Sequence, residues 1–418
     1  MAHESGRRDA RPTWITGTGC ICAAGGTTGQ TMAALYAGQR DPRPPARFQA
    51  ELDKAHPVFE IASDLDQEIA RIGGAEDFAW LRLDRDSTRT SRLALIAAVE
   101  ACRQARLDPR AMRRMRVGVA VGTTVGCTLN NEEFYRAWRK GSYPDPAPVR
   151  RFLANNPALY LSQAMGLRGP VATLANACSS GADAIGLAKS WLEAGLCDLA
   201  LAGGADELSR VTYLGFSSLM IASQEPCRPF DRNRSGLNLG EGAGMLMLET
   251  QEAAREREIK PLARLAGYGC GLDAYHPTAP HPEGRGLRRA IHQALRQAGI
   301  APRDVGFVNT HGTSTPDNDR VEGAVLADIF GAEIPAAATK AYTGHTLGAA
   351  GAIEAVFTVM GLLDQKLPGA RGFEEPDPDC RIAPVRTTTA VHARYALSNS
   401  LAFGGGNAAL VLEKVELP

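Results

Sequence analysis

The chain has 418 residues, 44% hydrophobic and 22% charged, with 46 Lys+Arg set against 46 Asp+Glu. That length supports a large core, as two or three compact units or one two-lobed fold, and the neutral balance points away from nucleic acid as a partner. No apolar run approaches a membrane span, and nine cysteines without a CxxC pair fit a reducing, cytoplasmic compartment rather than a disulfide framework.

In chain order, "MAHESGRRDARP" is polar and Arg-rich, so residues 1–13 are expected to form a disordered tail. "WITGTGCICA" reads as a buried strand, in which Cys20 and Cys22 alternate with Ile21 and are expected to face different environments. "TSRLALIAAVEACRQARL" places Leu93, Ala97, Val99, Cys102 and Leu107 at helical spacing, and "VGVAVGTT" is a second strand. Arg136, Arg139, Lys140, Arg150 and Arg151 read as a solvated basic face. "DLALAGGADE" and "GAGMLMLET" are further strands, followed by the charged helix "QEAAREREIK". A second set follows: "LARLAGYG", the helix "GRGLRRAIHQALRQAG", "VGFVNT", the helix "NDRVEGAVLADIFG", then "GAAGAIEAVFTVMGLLDQ" and "NAALVLEKV". Strands alternating with helices predict an α/β protein with largely parallel sheets. The two sets divide near Lys260 and Pro261, giving halves 14–260 and 261–418 with no sequence repeat between them. The alternation alone equally describes an ordinary doubly wound enzyme.

Chemistry concentrates at strand ends. "VATLANACSSGADAIGLAKSWLEAG" reads as strand, sharp turn and helix, with Ser179, Ser180 and Gly181 allowing the turn. That is the build of a nucleophile elbow with Cys178 in the serine's place. A thiol there would be acidified by the helix end and could carry an acyl group as a thioester, although cysteine also packs well in interiors. His311 follows a buried strand in "VNTHGTSTPDND", and Lys340 and His345 stand five residues apart in "TKAYTGHTLGAAGA". Reacting groups in parallel sheets sit at such strand ends. "SNSLAFGGGNAAL" adds a Gly-rich turn between two strands. "GEGAG", from Gly240 to Gly244, precedes a strand rather than a helix, so it reads as close backbone packing and not as a dinucleotide loop. His276 and His281 have no further residues nearby to complete a ligand set, and no metal site is expected.

Together "NACSSG", "CRPFDRNRSGLNLGEGAG", "HGTSTPDND", "TKAYTGHTLGAAGA" and "NSLAFGGGN" resemble, in order and from about Trp14 to Val415, the β-ketoacyl-acyl-carrier-protein synthase family of condensing enzymes. The resemblance implies the thiolase fold, two related α/β halves in a five-layered α-β-α-β-α arrangement. It implies elongation of an acyl chain by decarboxylative condensation with a malonyl unit. Cys178 matches the acyl-accepting nucleophile. His311 and His345 match the pair assisting decarboxylation, Lys340 the supporting lysine, and Glu322 its carboxylate partner. The N–H groups of Cys178 and Phe403 match the oxyanion hole, with Phe403 also the gating aromatic. Thr313, Thr315 and Thr278 match groups lining the phosphopantetheine channel, and Val125, Phe216, Leu401 and Ala402 are expected to contact substrate. No cofactor is implied beyond the phosphopantetheine arm of the substrates. Acyl carrier protein is the implied partner, with the chain in a homodimer or paired with a chain-length-factor-like subunit.

Where the family usually reads "NSFGFGG", this chain has Leu401 and Ala402, and alanine tolerates positive φ less well than glycine, so the movement of Phe403 could differ. Thr124, Val125 and Cys127 also depart from the family's usual residues, with Val125 expected near the floor of the acyl pocket. Such departures fit a type II polyketide or polyene system as well as fatty acid synthesis. Two alternatives are a silent chain-length-factor-like subunit, which typically lacks the nucleophile, and a degradative thiolase, which uses a second cysteine near its C-terminus. Cys178 is present and no cysteine follows Cys380.

Overall fold

The computed structural model describes residues 12–415 apart from 51, 53, 74–80, 84–86, 108, 125–128 and 155. The tail expected over residues 1–13 lies outside the described residues up to residue 11, and Thr13 already opens the first strand.

Ten strands form the main sheet: β1 (Thr13–Cys22), β2 (Val117–Gly122), β3 (Val171–Leu174), β4 (Leu199–Asp206), β5 (Gly242–Thr250), β6 (Ala263–Leu272), β7 (Val305–Asn309), β8 (Ala336–Ala337), β9 (Tyr395–Leu401) and β10 (Gly406–Lys414). Their order is β3-β2-β4-β5-β1-β6-β10-β9-β7-β8. Read outward from the centre, each half has the same plan, β1-β5-β4-β2-β3 and β6-β10-β9-β7-β8. The pairing directions also match: β2 runs parallel to β3 and β4, and β7 parallel to β8 and β9. The other pairs, β4–β5, β5–β1, β9–β10 and β10–β6, are antiparallel. The repeat that the residues do not show is therefore plain in the backbone. The expectation of largely parallel sheets is corrected to a mixed sheet. One reason is local, since the short turn from Leu401 to Gly406 can only return β10 antiparallel to β9. The two five-stranded halves of the sheet meet where Thr13–Ile15 pairs with Ala263–Leu265.

Helices fill the layers around this sheet. Helix α1 (Arg89–Gln104) packs on β1 and β5, while α2 (Ser180–Glu193) packs on β2 and β4 from the other side. A short helix, α3 (Arg210–Ser218), follows β4. In the second half α4 (Arg285–Ala298) packs on β6 and β10, and α5 (Pro316–Phe330) follows β7. Helix α6 (Ala350–Asp364) packs on β9, β5 and α2. The buried residues accordingly form a central cluster including Ile185, Ile353 and Val356, flanked by outer clusters around Leu95 and Ile291. That is the α-β-α-β-α layering of the thiolase fold. Cys20 and Cys22 both enter the central cluster and Ile21 an outer one, because alternate residues of a strand share a face. The expectation that the two cysteines face different environments is thus corrected.

Leu347–Asp364 is the one stretch among the described residues with the length and hydropathy of a membrane span, and it is mostly buried at the centre of the fold. Its apolar character on all sides is what a helix between the two halves of the sheet requires.

Candidate active site

The central helices α2 and α6 both start at the same level, so the turns that lead into them meet. The first turn runs from β3 into α2. Asn176 N–H donates to Ser180 Oγ at 2.7 Å, and its side-chain Nδ2 donates to Asp183 Oδ2 at 2.6 Å. Tyr268 of β6 donates its hydroxyl to Asp183 Oδ1 at 2.8 Å, so the second half braces the first. These bonds hold Ala177 at φ 49°, a left-handed conformation that alanine adopts only under constraint. Cys178 follows, 4% exposed.

Burial pushes the Cys178 thiol up to about 11, against the pull of Lys340 and of the N–H groups of Phe403 and Cys178 itself. Enclosing the sulfur disfavours its anion, in opposition to the acidification expected at a helix end. Both N–H groups face the sulfur, where the oxyanion hole is expected.

The second turn runs from β7 into α5 and carries His311. Glu322 of α5 accepts from His311 N at 2.6 Å, Gly312 N at 2.8 Å, Asn318 Nδ2 at 3.1 Å and Asn399 Nδ2 at 2.8 Å. Its oxygens are thus committed to the backbone of the histidine turn. Lys340 forms its buried ion pair with Glu354 of α6 instead. The expected pairing of Lys340 with Glu322 is corrected for that reason. A lone Glu in the apolar run "GAAGAIEAVFTVMGLL" was the available signal, since a buried carboxylate needs a cation.

Lys340 Nζ also donates to His311 O at 2.6 Å and lies 3.0 Å from His311 Nδ1. An ammonium only donates, so Nδ1 accepts and the imidazole proton sits on Nε2. His345 reaches the same state differently, with its Nδ1 accepting from Leu347 N–H at 3.2 Å. The two rings stand edge to face, centroids 5.2 Å apart and planes at 85°. Burial, and then the charge of Lys340, holds both imidazoles well below the usual histidine value, so both are neutral at pH 7.

Cys178, His311 and His345 open onto one pocket of about 210 Å³, lined also by Phe216, Thr278, Thr313, Thr315, Leu401, Ala402 and Phe403. The structure therefore brings together every substrate-contacting residue expected from the sequence except Val125, which lies outside the described residues. Asp273 and Asn407 line it too and were not singled out by sequence reasoning. Thr313 and Thr315 share a hydrogen bond of 2.9 Å between their hydroxyls. The Phe403 ring stacks on Phe216, centroids 5.4 Å apart and 13° from parallel. Ala402 sits at φ −132°, an extended conformation open to any residue, while Gly404 and Gly405 take the positive φ values of 81° and 82°. His276 Nδ1 accepts from the N–H groups of Thr278 at 3.2 Å and Ala279 at 3.1 Å, shaping the loop beside the pocket. Gly240 of "GEGAG" does allow close packing, since a Cβ there would lie 2.0 Å from Thr343 O.

Comparison with known proteins gives the same picture. Residues 10–254 match the β-ketoacyl synthase N-terminal domain, and residues 262–374 match its C-terminal domain. A 3-oxoacyl-[acyl-carrier-protein] synthase 2 of Synechocystis sp. is 34% identical over 96% of this chain and 98% of its own. Among solved structures, the ishigamide ketosynthase/chain length factor superposes with a TM-score of 0.89 at 30% identity, covering 97% of this chain and 100% of the other. A type II polyketide synthase ketosynthase, solved with its acyl-carrier protein and bound to the hexaketide, has a TM-score of 0.86 at 25% identity, over 98% and 100%. A thiolase-type fold with a buried cysteine and two neutral histidines in one pocket defines a condensing enzyme of the acyltransferase class. The chain belongs to the β-ketoacyl synthase family.

Proposed function

We propose that the chain extends acyl chains by two carbons, condensing a Cys178-bound acyl group with a malonyl unit carried on acyl carrier protein. The observation that carries this reading is the convergence of Cys178, His311, His345 and Phe403 on one pocket, with Lys340 behind His311.

In the loading step, the Cys178 sulfur attacks the acyl thioester while the N–H groups of Cys178 and Phe403 receive the carbonyl oxygen's developing charge. The C–S bond to the pantetheine breaks, and the thiol proton of Cys178 ends on the departing pantetheine sulfur. The malonyl thioester then enters with its carbonyl oxygen between the Nε2–H groups of His311 and His345. The bond to its carboxylate breaks, carbon dioxide leaves, and the electron pair passes into an enolate held by those two donors. Neutral imidazoles stabilise the enolate oxygen without protonating its carbon. The enolate carbon attacks the Cys178 thioester, a carbon–carbon bond forms, and the released thiolate takes a proton from solvent. Both substrates use one pocket, so the kinetics are ping-pong.

Thr313, Thr315 and Thr278 hold the phosphopantetheine arm, and the enzyme needs no cofactor of its own. Among the described residues Cys178 is the only cysteine lining the pocket, which favours condensation over the two-cysteine chemistry of degradative thiolases. The family's mixture of fatty acid and polyketide relatives, with Leu401 and Ala402 at the pocket, supports a fatty acid or type II polyketide or polyene chain as product. The partners in this reading are an acyl carrier protein and either a second copy or a chain-length-factor-like subunit. The exposed outermost strand β3, with Val171 39% exposed, is a free sheet edge that such a subunit would cover. In this reading the enzyme works in the cytoplasm.

The test is product analysis with acyl and malonyl carrier proteins. A β-ketoacyl product two carbons longer, released with carbon dioxide and lost in Cys178→Ala, supports the reading. Elongation by Cys178→Ala refutes it.

A further inference from the structure

Asp206 closes β4 and is fully buried. Its Oδ1 accepts from Thr123 Oγ1 at 2.7 Å, and its Oδ2 accepts from Thr124 N at 2.8 Å and Gly348 N at 2.7 Å. The last bond crosses from the first half into the second, into the turn after His345. Leu347 in that turn holds φ 52°, a left-handed conformation unfavourable for leucine. It is Leu347 N–H that donates to His345 Nδ1 at 3.2 Å, the long end of the hydrogen-bond range. Gly348 fits its place only as glycine, because a Cβ would lie 2.6 Å from the Thr123 backbone and 2.8 Å from Asp206 Oδ2.

These contacts form one line: Asp206 carboxylate, Gly348 N–H, the strained Leu347, Leu347 N–H, His345 Nδ1. We propose that Asp206 is a positioning residue for His345, holding the Leu347–Gly348 turn so that the imidazole keeps its proton on Nε2. Without that acceptor, the buried Gly348 N–H and Thr123 hydroxyl and the half-buried Thr124 N–H lose their partner, which drives local rearrangement. A shift of a few tenths of an ångström removes the long bond to Nδ1. The ring is then free to carry its proton on Nδ1, which turns Nε2 from a donor into an acceptor facing the pocket. The nucleophile turn keeps its own bonds from Asn176 and Asp183, with Thr124 Oγ1 adding only a long hydrogen bond of 3.5 Å to Ala177 O, and loss of the Asp206 charge eases rather than hinders formation of the Cys178 thiolate. The predicted defect is therefore selective for the step that needs an Nε2 donor. This inference rests on the role given to His345 above.

The experiment compares wild type, Asp206→Asn and Asp206→Ala, labelled with 15N-histidine, with the His345 signals identified by their absence in His345→Ala. Wild type and Asp206→Asn should show the Nε2–H tautomer, because an amide oxygen still accepts from Gly348. Asp206→Ala should shift His345 toward Nδ1–H, and its malonyl decarboxylation should fall on the order of 100-fold, the usual loss when one such donor is removed. Acyl loading of Cys178 should stay within about threefold, since its donors are backbone N–H groups. An unchanged tautomer in Asp206→Ala, or equal loss of loading and decarboxylation, overturns the proposal. If Asp206→Ala does not fold, Asp206→Ser takes its place; failure of both assigns Asp206 to folding alone and also overturns it. A wild-type enzyme that neither loads nor decarboxylates would instead refute the proposed function, and the tautomer comparison would still be read independently.

Discussion

Ala177 and Leu347 occupy equivalent positions in the two halves, each at positive φ, 49° and 52°, and each opening a single 3-10 turn directly before a central helix. The equivalence continues one turn on, where a Cβ on Gly181 would lie 3.0 Å from the Ala352 Cβ and one on Gly351 would lie 3.0 Å from the Ala182 Cβ. Next to these residues the halves diverge: the first turn presents Cys178, and the second presents Gly348 beside His345. One backbone device thus serves a nucleophile in one half and a histidine in the other.

The strain at Ala177 gives a first prediction. Ala177→Val should destabilise the protein by roughly 1–3 kcal/mol, since a β-branched residue suits positive φ poorly. Ala177→Gly should be tolerated. Denaturant melts of the two variants measure the difference, and equal stabilities would mean that the turn relaxes freely.

The ion pair of Lys340 with Glu354 gives a second. Glu354→Ala leaves a buried ammonium without its anion, which should cost about 3–5 kcal/mol. Glu354→Gln should fold and yet lower decarboxylation by about 10- to 100-fold, the usual range for groups that orient a reacting side chain. Glu322→Gln should instead act mainly on stability, because Glu322 holds the backbone of the His311 turn. A larger catalytic loss from Glu322→Gln than from Glu354→Gln would reverse this assignment.

Two pH dependences follow from burial. The Cys178 thiol, pushed up to about 11, is mostly protonated at neutral pH. Its alkylation by iodoacetamide should rise about tenfold per unit from pH 7 to pH 9, as the thiolate fraction grows. A plateau by pH 8 would show an acidified thiol. The two histidines are held well below 6.5, so lowering the pH from 8 to 6 leaves them neutral. Their 15N signals should stay unchanged over that range, and any fall in decarboxylation should follow the buried carboxylates Glu322 and Glu354, pushed up to about 7; a histidine that gains a proton near 6.5 would contradict this.

The Phe216–Phe403 stack lines a pocket of about 210 Å³, below the roughly 300–1,000 Å³ of sites that enclose a drug-sized ligand. If Phe403 leaves Phe216 to admit an acyl chain, the stack limits access to Cys178. Phe216→Leu removes a stacking contact worth about 0.5–1.5 kcal/mol, so alkylation of Cys178 at fixed pH should rise about threefold to tenfold. An unchanged rate would show that the stack does not limit access.

The chemistry of this site was more legible than its wiring. Cys178, His311, Lys340 and His345 each stand in a turn after a strand, and that pattern survives in the residues alone. Glu322 was misassigned because a sequence shows that a buried lysine needs a carboxylate but not which helix supplies it. Asp206 was passed over because its partners, Thr123, Thr124 and Gly348, lie far from it in sequence and two of them bind through backbone N–H groups. The repeat does not show in the residues themselves for a related reason. Its two copies share backbone direction and glycine contacts, such as Gly181 with Ala352, while their exposed and catalytic side chains differ. The enclosure that opposes acidification of Cys178 was not legible, because it comes from residues distant in sequence.

The most direct measurement is intact-mass spectrometry of the protein after incubation with acyl-carrier proteins bearing chains of different lengths. The account predicts a mass gain equal to one acyl group, mapped to Cys178, lost in Cys178→Ala and discharged when malonyl-carrier protein is added. An acyl adduct on any other residue, or elongation with no adduct on Cys178, would contradict it.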